Sequence, residues 1–577
     1  MGSAASVDGR SLFSWAAFRA RWTIQFHERE EQVFLLLSLL IGALTGVAVV
    51  GFILVTERLG LRLFPVHGAA WRRIAMPVGG SLAMGYLLFR YFPNARGSGV
   101  PQTKAALFAH NGYISLRTVL GKFVCTATTL ACGIPLGREG PSVQVGAGIA
   151  SVLGRKLGLR PERVKALIPV GAAAAIAAAF NTPMAAVMFA LEEVMGDLHA
   201  PVLGSVVLAA ATSWAVLRLL LGNDPLFKVP EYSLVHPLEF GIYAVLGVAG
   251  GFLSVGFTRL LIGMRAYFQK LPAKSRWWHP VVGGVTVAAM GWFVPQSLGV
   301  GYTYVGQALN GSMVVKVMLL LLALKFVGVT VSYATGNAGG IFGPSLFLGA
   351  MLGGAIGTAA HALLPAYTAQ PGAYALVGMG ALFAGIVRAP MTSVLMIFEM
   401  TRDYAVIVPL MIANMTSLFI ASIFQKEPIY ESLAHQDGIH LPTPAEREEG
   451  NQRTVAQVME REPKLLPGQM TVLDAIESVR ALDGQCWPVM DNTAFLGMVA
   501  RETLEQALAD GCGEWRVTAL VTPHSMAHLH ADQPLHTALE RMSSSQSEAL
   551  PVVHRADIHK LEGVVTRRAV LDSYGIT

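Results

Sequence analysis

Residues 137 to 146 read GREGPSVQVG inside an otherwise apolar sequence, with Arg138 and Glu139 adjacent, glycines on both sides and Pro141 close behind. Charges within hydrocarbon-compatible sequence are costly unless they line a polar path, which makes this pair a functional candidate. The Gly and Pro positions predict a broken helix, because Pro is tolerated in the first turn of a new one. A helix that begins inside a membrane presents unpaired amides and a partial positive charge at its N-terminus. That is an anion seat made mostly of backbone, here that of Arg138 and Gly140. Glu139 at its mouth would either block the seat or carry a proton.

Four more stretches carry groups able to take part. GSGVPQ, from Gly97 to Gln102, is a Gly-rich turn with one hydroxyl, Ser98. It lacks the Lys-Ser/Thr of a phosphate loop, and alone it reads equally well as a plain turn. GGIFGP, from Gly339 to Pro344, has Ile341 and Phe342 where GREGP has Arg138 and Glu139. Any anion contact there must come from the amides. KEPIY places Tyr430 at the start of a helix opened by Pro428; alone, it reads as an interfacial anchor. FALEEVMGD ends an apolar helix with Glu192 and Glu193, whose side chains diverge by about 100° on a helix.

The elements that must hold these groups repeat. KFVCTATTLACGIPLGREGPSVQVGA, from Lys122, lies without a gap over KFVGVTVSYATGNAGGIFGPSLFLGA, which begins 203 residues later at Lys325. After a small indel, Gly171, Pro183, Met184 and Glu192 meet Gly378, Pro390, Met391 and Glu399. Glu192 thus has a partner, which favours a structural role, whereas Glu193 aligns with Met400 and is unpaired. Broken segments in corresponding positions of two halves point to a substrate site at the repeat interface. Apolar stretches fall at about 33–55, 74–92, 118–136, 142–153, 166–195, 201–221, 238–263, 279–298, 313–333, 339–364, 372–399 and 405–424. Many are too short, or too interrupted by Gly and Pro, to be simple spans.

Composition agrees. Of 577 residues, 53% are hydrophobic and 14% charged, with mean hydropathy +0.50, so most of the chain must live in lipid. A net charge of +6 without basic runs interleaved with aromatics argues for positive-inside bias rather than nucleic-acid binding. Cys125, Cys132, Cys486 and Cys512 show neither metal-ligand spacing nor a disulfide framework. No signal peptide is expected. Residues 11–31 read as an amphipathic lead-in helix, the myristoylation-like MGSAAS as a chance match, and HEREE lacks the second His of a zinc protease.

Beyond Tyr430 a polar linker leads to a tail with its own repeat. Pro488 and Pro551 each open a β-rich run leading to Gly497 and Gly563, with a helix after each. Two such β-α-β-β-α units resemble a pair of CBS (cystathionine-β-synthase) modules. Nucleotide-binding units of that kind tend to show G-x-x-[ST]-x-x-D, but Thr503 and Ala569 stand at the Asp positions. Adenosine nucleotide binding is therefore disfavoured, and a dimerising or coupling role gains. His524, His528 and His530 read as solvated loop residues rather than a metal site.

GSGVP, GREGP, GIFGP and the late Tyr, in this order, resemble the CLC chloride channel and transporter family over about residues 30 to 440. The resemblance implies a polytopic α-helical membrane protein with two repeated halves of broken helices, plus a small α/β CBS pair. Its divisions are expected at 1–31, 32–440, 441–452 and 453–577. It also implies a homodimer with one pore per subunit. A dehydrated chloride would be held by the Ser98 and Tyr430 hydroxyls and the Ile341 and Phe342 amides. Glu139 would be the gating carboxylate, and Ser98 matches chloride-preferring rather than nitrate-preferring members. Proton-coupled members carry Glu at the position of Glu193, which would then be the internal proton site. The expected activity is chloride/proton antiport without a cofactor, in a bacterial inner membrane with both termini cytoplasmic. A passive voltage- or pH-gated chloride channel of the same fold is the alternative. A metalloprotease would need HExxH in an apolar helix, and a divalent-cation transporter acidic clusters; neither pattern is present.

Overall fold

In a computed structural model, residues 30–573 are described apart from 64–68, 199–201, 223–225, 228, 231, 233, 440, 443–452, 483, 493, 522–526 and 546. Residues 11–29 of the expected lead-in helix, most of the 441–452 linker and His524 fall outside the described residues. The chain divides into two units, one ending at Leu441 and the other beginning at Pro442.

The first unit is helical throughout. Its first half contains α1 (Glu30–Leu63), α2 (Arg72–Arg90), α3 (Val100–Phe108), α4 (Leu116–Ala131), α5 (Glu139–Lys156), α6 (Pro161–Phe180), α7 (Pro183–Phe189) and α8 (Leu203–Leu221). The second half follows the same order: α9 (Glu239–Lys270), α10 (His279–Phe293), α11 (Tyr302–Leu309), α12 (Val315–Ala334), α13 (Phe342–Leu363), α14 (Pro371–Val387), α15 (Pro390–Thr401) and α16 (Ile407–Phe424). A short α17 (Ile429–Gln436) ends the unit. Among the described residues, seven helical runs are long and apolar enough to cross a membrane. Most of the others are shorter, begun or ended by the Gly and Pro positions that interrupt the apolar stretches. The runs predicted over 166–195 and 372–399 are each divided. Asn181 and Arg388 adopt left-handed conformations that end α6 and α14, and Pro183 and Pro390 open α7 and α15.

Packing reveals that the repeat begins earlier than Lys122. Gly42 and Gly46 of α1 lie against the backbone of Ala209 and Ser213 in α8, and Gly247 and Gly251 of α9 lie against Ala413 and Ser417 in α16. Small residues four apart let helices approach closely in lipid, where water supplies no driving force. Closer approaches link the next helices of each half. A methyl added at Gly146 would lie 2.2 Å from the Gly171 carbonyl, and one at Gly349 would lie 2.2 Å from that of Gly378. Each half therefore presses its fifth helix onto its sixth, backbone to backbone. Leu219 and Phe293, both more than four-fifths exposed, belong to an apolar outer surface suited to lipid.

The second unit has β1 (Leu466–Pro467), α18 (Val472–Val479), β2 (Cys486–Asp491), β3 (Ala494–Ala500) and α19 (Arg501–Ala509), then α20 (Leu535–Ser545), β4 (Ala549–His554), β5 (Asp557–Thr566) and α21 (Arg567–Ser573). β1 pairs parallel with β2, which pairs antiparallel with β3; β4 and β5 pair antiparallel, and Leu529 bridges Val552 in parallel as Leu466 meets Val489. Phe495, Met498, Ala549, Val553 and Val564 form a core shared by the two sheets. The two β-α-β-β-α units expected from the tail's repeat are thus present.

Gly171→Ala would drive a methyl into the Gly146 carbonyl at 2.2 Å. It should destabilise the protein by about 1–3 kcal/mol, the usual cost of overpacking. Gly79→Ala in α2, where nothing lies within 4 Å, should be neutral or slightly stabilising. Thermal unfolding in detergent compares the two.

Candidate functional site

The site is assembled where the halves meet. Gly137 N–H donates to the Gly340 carbonyl and Gly340 N–H to that of Gly137, both at 2.7 Å. These residues are equivalents in the repeat, and reciprocal bonds between equivalents are what a local two-fold axis produces. Two residues further on in each half a helix starts, α5 at Glu139 and α13 at Phe342, and the first amides of each have no partner inside their own helix.

Glu139 is fully buried, and its carboxylate crosses to the opposite half. Oε2 accepts from Gly343 N–H at 3.2 Å, and Oε1 accepts from the Tyr302 hydroxyl. A carboxylate therefore sits on the N-terminus of α13, the position the dipole reserves for an anion. Arg138 and Glu139 do not pair with each other. The Arg138 guanidinium reaches Glu57 at 3.0 Å and lies 5.6 Å from the centre of the Tyr302 ring. Glu57, Arg138 and Tyr302 line a cavity of about 500 Å³.

Ile341 and Phe342 are wholly buried. The Phe342 ring packs 4.9 Å from Phe180, 5.6 Å from Phe189 and 4.4 Å from Phe383, centre to centre. That aromatic cluster anchors the start of α13 and leaves only its backbone to face a ligand.

The GSGVP turn meets GREGP directly. Gly97 and Gly99 have φ of +87° and +109°, and a methyl at Gly99 would lie 2.2 Å from the Gly140 carbonyl. Ser98 N–H donates to the Tyr333 hydroxyl at 3.1 Å. Its own Oγ and the Tyr430 hydroxyl are buried neighbours, and among the described residues neither makes a well-formed hydrogen bond. Two unpaired buried hydroxyls on neighbouring side chains can both donate to one bound acceptor such as chloride. Lys122 Nζ holds the turn through the carbonyls of Ala95 (3.2 Å) and Gly97 (2.5 Å). Its repeat partner Lys325 holds the Gly299 and Val300 carbonyls in the same way. Both buried cations are thus taken up by backbone carbonyls.

Glu192 and Glu193 part company. A π-helical turn over Ala190–Met195 follows α7 and widens the helix there. Glu192 caps α15, accepting from Met391 N–H (3.2 Å) and Thr392 N–H (2.8 Å). Glu399 caps α7 in return, accepting from Met184 N–H (3.0 Å) and Ala185 N–H (2.8 Å). Glu193 instead turns inward, 5% exposed, with its Oε1 2.8 Å from Lys104 Nζ. Lys104 lies in α3, behind the Ser98 turn, and is also 3.7 Å from Glu431, the neighbour of Tyr430. The sequence reading missed Lys104, Tyr302 and Tyr333. Lys104 carried a usable signal, a charge just before the apolar AALFA.

In the tail, Thr566 Oγ1 accepts from Ala569 N–H at 3.2 Å, and neither Thr503 nor Ala569 supplies a carboxylate. Among the described residues no group of three or more His, Cys, Asp and Glu side chains is arranged to hold a metal ion.

Residues 80–422 match the family described as "Voltage gated chloride channel", and residues 518–575 match the CBS domain. An H(+)/Cl(-) exchange transporter ClcA of Vibrio campbellii is 32% identical over 370 residues, which cover 63% of this chain and 79% of the relative. A slow cyanobacterial Cl-/H+ antiporter structure aligns with a TM-score of 0.64 at 27% identity, covering 70% of this chain and 97% of its own. The fold of a eukaryotic CLC transporter aligns over 93% of this chain and 97% of its own, with a TM-score of 0.61 at 21% identity.

If Glu192 and Glu399 are equivalent caps, Glu192→Gln and Glu399→Gln should each cost about 1 kcal/mol. The unfolding midpoints of the two variants should fall together while chloride flux persists. A clear inequality, with one substitution harmless, would contradict the two-fold arrangement.

Proposed function

This chain belongs to the voltage-gated chloride channel family, and on that premise we propose that it exchanges chloride for protons across a bacterial inner membrane. The observation that carries the proposal is the Glu139 carboxylate bound to the Gly343 amide. A side chain that occupies an anion seat competes with chloride for it. Protonation removes the charge, weakens the hold of the amide and of the Tyr302 hydroxyl, and frees the seat. The two fluxes are then linked by competition for one place.

In this proposal a central chloride is bound by the Ser98 and Tyr430 hydroxyls and the Ile341 and Phe342 amides, while the backbone of Arg138 and Gly140 lines the way to Glu139. Dipoles and hydroxyls hold chloride without a fixed cation that would trap it. Glu193 passes protons to the other side, with Lys104 as its buried counter-ion. The rival reading, a passive chloride channel, gives a buried and ion-paired Glu193 no task. Multi-pass membrane residence follows from the family and the apolar helices; cytoplasmic termini and a homodimer belong to the proposal. Met411, Met415 and Phe419 present an exposed apolar stripe on α16 on which a second copy has a face to pack. For the tail, the missing carboxylates favour a coupling or dimerising role over adenosine nucleotide binding.

Proteoliposomes under a chloride gradient test the exchange. The native protein should move protons uphill. Glu193→Gln should reduce that proton flux about a hundredfold, the usual worth of a positioned proton-transfer group, and leave chloride flux in place. A native protein that moves chloride and no protons would refute antiport. Tyr302→Phe removes one hydrogen bond to the gating carboxylate, an interaction of about 1.5–3 kcal/mol. Chloride should then compete better, and half-saturating chloride should fall about tenfold.

A further inference from the structure

A cavity of about 270 Å³ lies beside the Ser98 turn, away from the Glu139 carboxylate, and three guanidiniums enter it from separate elements. Arg96 comes from the segment before the turn, Arg265 from α9 and Arg276 from the loop before α10. Among the described residues Asp437 is the only carboxylate in its wall, and it is taken by Arg265 at 2.6 Å. Among the described residues, Arg96 and Arg276 have no carboxylate partner, so the cavity keeps two uncompensated positive charges. Arg96 is half-buried, runs alongside Gly336, and donates to the backbone carbonyl of Arg276 at 3.3 Å. That bond draws together two like charges which would otherwise move apart. Lys122 fixes the segment from below through the Ala95 and Gly97 carbonyls. Two further titratable groups line the wall: His279 is occupied with Ser275 at 2.8 Å, and the Tyr333 hydroxyl accepts from Ser98 N–H.

We propose that this cavity is a second anion site, distinct from the chloride seat, and that it takes a phosphoryl group. Its chemistry differs from that seat, where hydroxyls and amides do the binding. Guanidinium forks match the oxygens of a phosphate with paired hydrogen bonds, and a phosphate offers oxygens in enough directions to meet Arg96 and Arg276 together. The volume equals about nine waters, so a single chloride would leave most of it filled with solvent. A soluble phosphoryl anion and a lipid headgroup share this chemistry. The proposal does not depend on the exchange reading, because occupancy is read without transport.

The test is calorimetric titration of inorganic pyrophosphate into the full-length protein in phosphatidylcholine nanodiscs, with ionic strength held constant. One saturable site per chain is expected. Arg276→Gln, an exposed position whose loss should leave the fold intact, should weaken binding about tenfold or more, as befits one charged hydrogen-bonded contact. Arg276→Lys should fall between, keeping the charge and losing the fork. Nanodiscs containing phosphatidic acid separate the sources. If the lipid abolishes pyrophosphate binding, the ligand is a headgroup; if binding persists, it is a soluble anion. The proposal is overturned if no saturable binding occurs in phosphatidylcholine, or if binding ignores both Arg276→Gln and Arg96→Gln. It is equally overturned if chloride displaces pyrophosphate one for one, since the cavity would then be only part of the chloride route.

Discussion

A helix that starts inside a membrane leaves amides without partners where no water can reach them, and here two such helices start facing one another. The paired hydrogen bonds between Gly137 and Gly340 set that geometry. They hold the two helix starts close enough for a carboxylate from one half to reach the amide of the other. They also demand glycine, because a methyl at Gly137 would meet the Glu139 carboxylate and the backbone of Gly343 at 2.4 and 3.1 Å. The glycine contacts that press α5 onto α6 and α13 onto α14 then keep each helix aimed at the junction.

Buried charge is handled in two ways. Lys122 and Lys325 are spent on backbone carbonyls, and Glu192 and Glu399 on backbone amides, in matched pairs across the repeat. These groups are structural, and the two-fold relation identifies them as such. Glu139 and Glu193 break the symmetry, since Phe342 and Met400 stand at their positions in the second half. Symmetric charges build the scaffold, and the unmatched Glu139 and Glu193 are the ones the proposal assigns to proton transfer.

Much of this was legible in the sequence because the repeat is strong where backbone geometry is demanding. Gly, Pro and Lys recur from Lys122 and Lys325 onward because each meets the same steric or hydrogen-bonding need in both halves. Earlier, the repeat rests on Gly42, Gly46, Gly247 and Gly251, and small residues in apolar helices recur too often by chance to stand out. The structural role of Glu192 followed from its partner. Tyr302 could not be found, since its hydroxyl meets a carboxylate 163 residues away and nothing local marks it. The adjacency of Arg138 and Glu139 misled in one respect: neighbours at a helix start point apart, and each found its partner elsewhere.

The exchanged caps of Glu192 and Glu399 bear on how the protein is made. A ribosome that has just produced Glu192 must add 200 further residues before Thr392, the residue whose amide and hydroxyl receive that carboxylate, exists. At about 5–20 residues per second this is a wait of roughly 10–40 s. Throughout it, the first half holds the Glu192 carboxylate without its intended donors and a helix start, at Met184, without its cap. The second half therefore completes the first. Each half thus leaves one helix start and one carboxylate to be completed by the other, so the two caps can form only together.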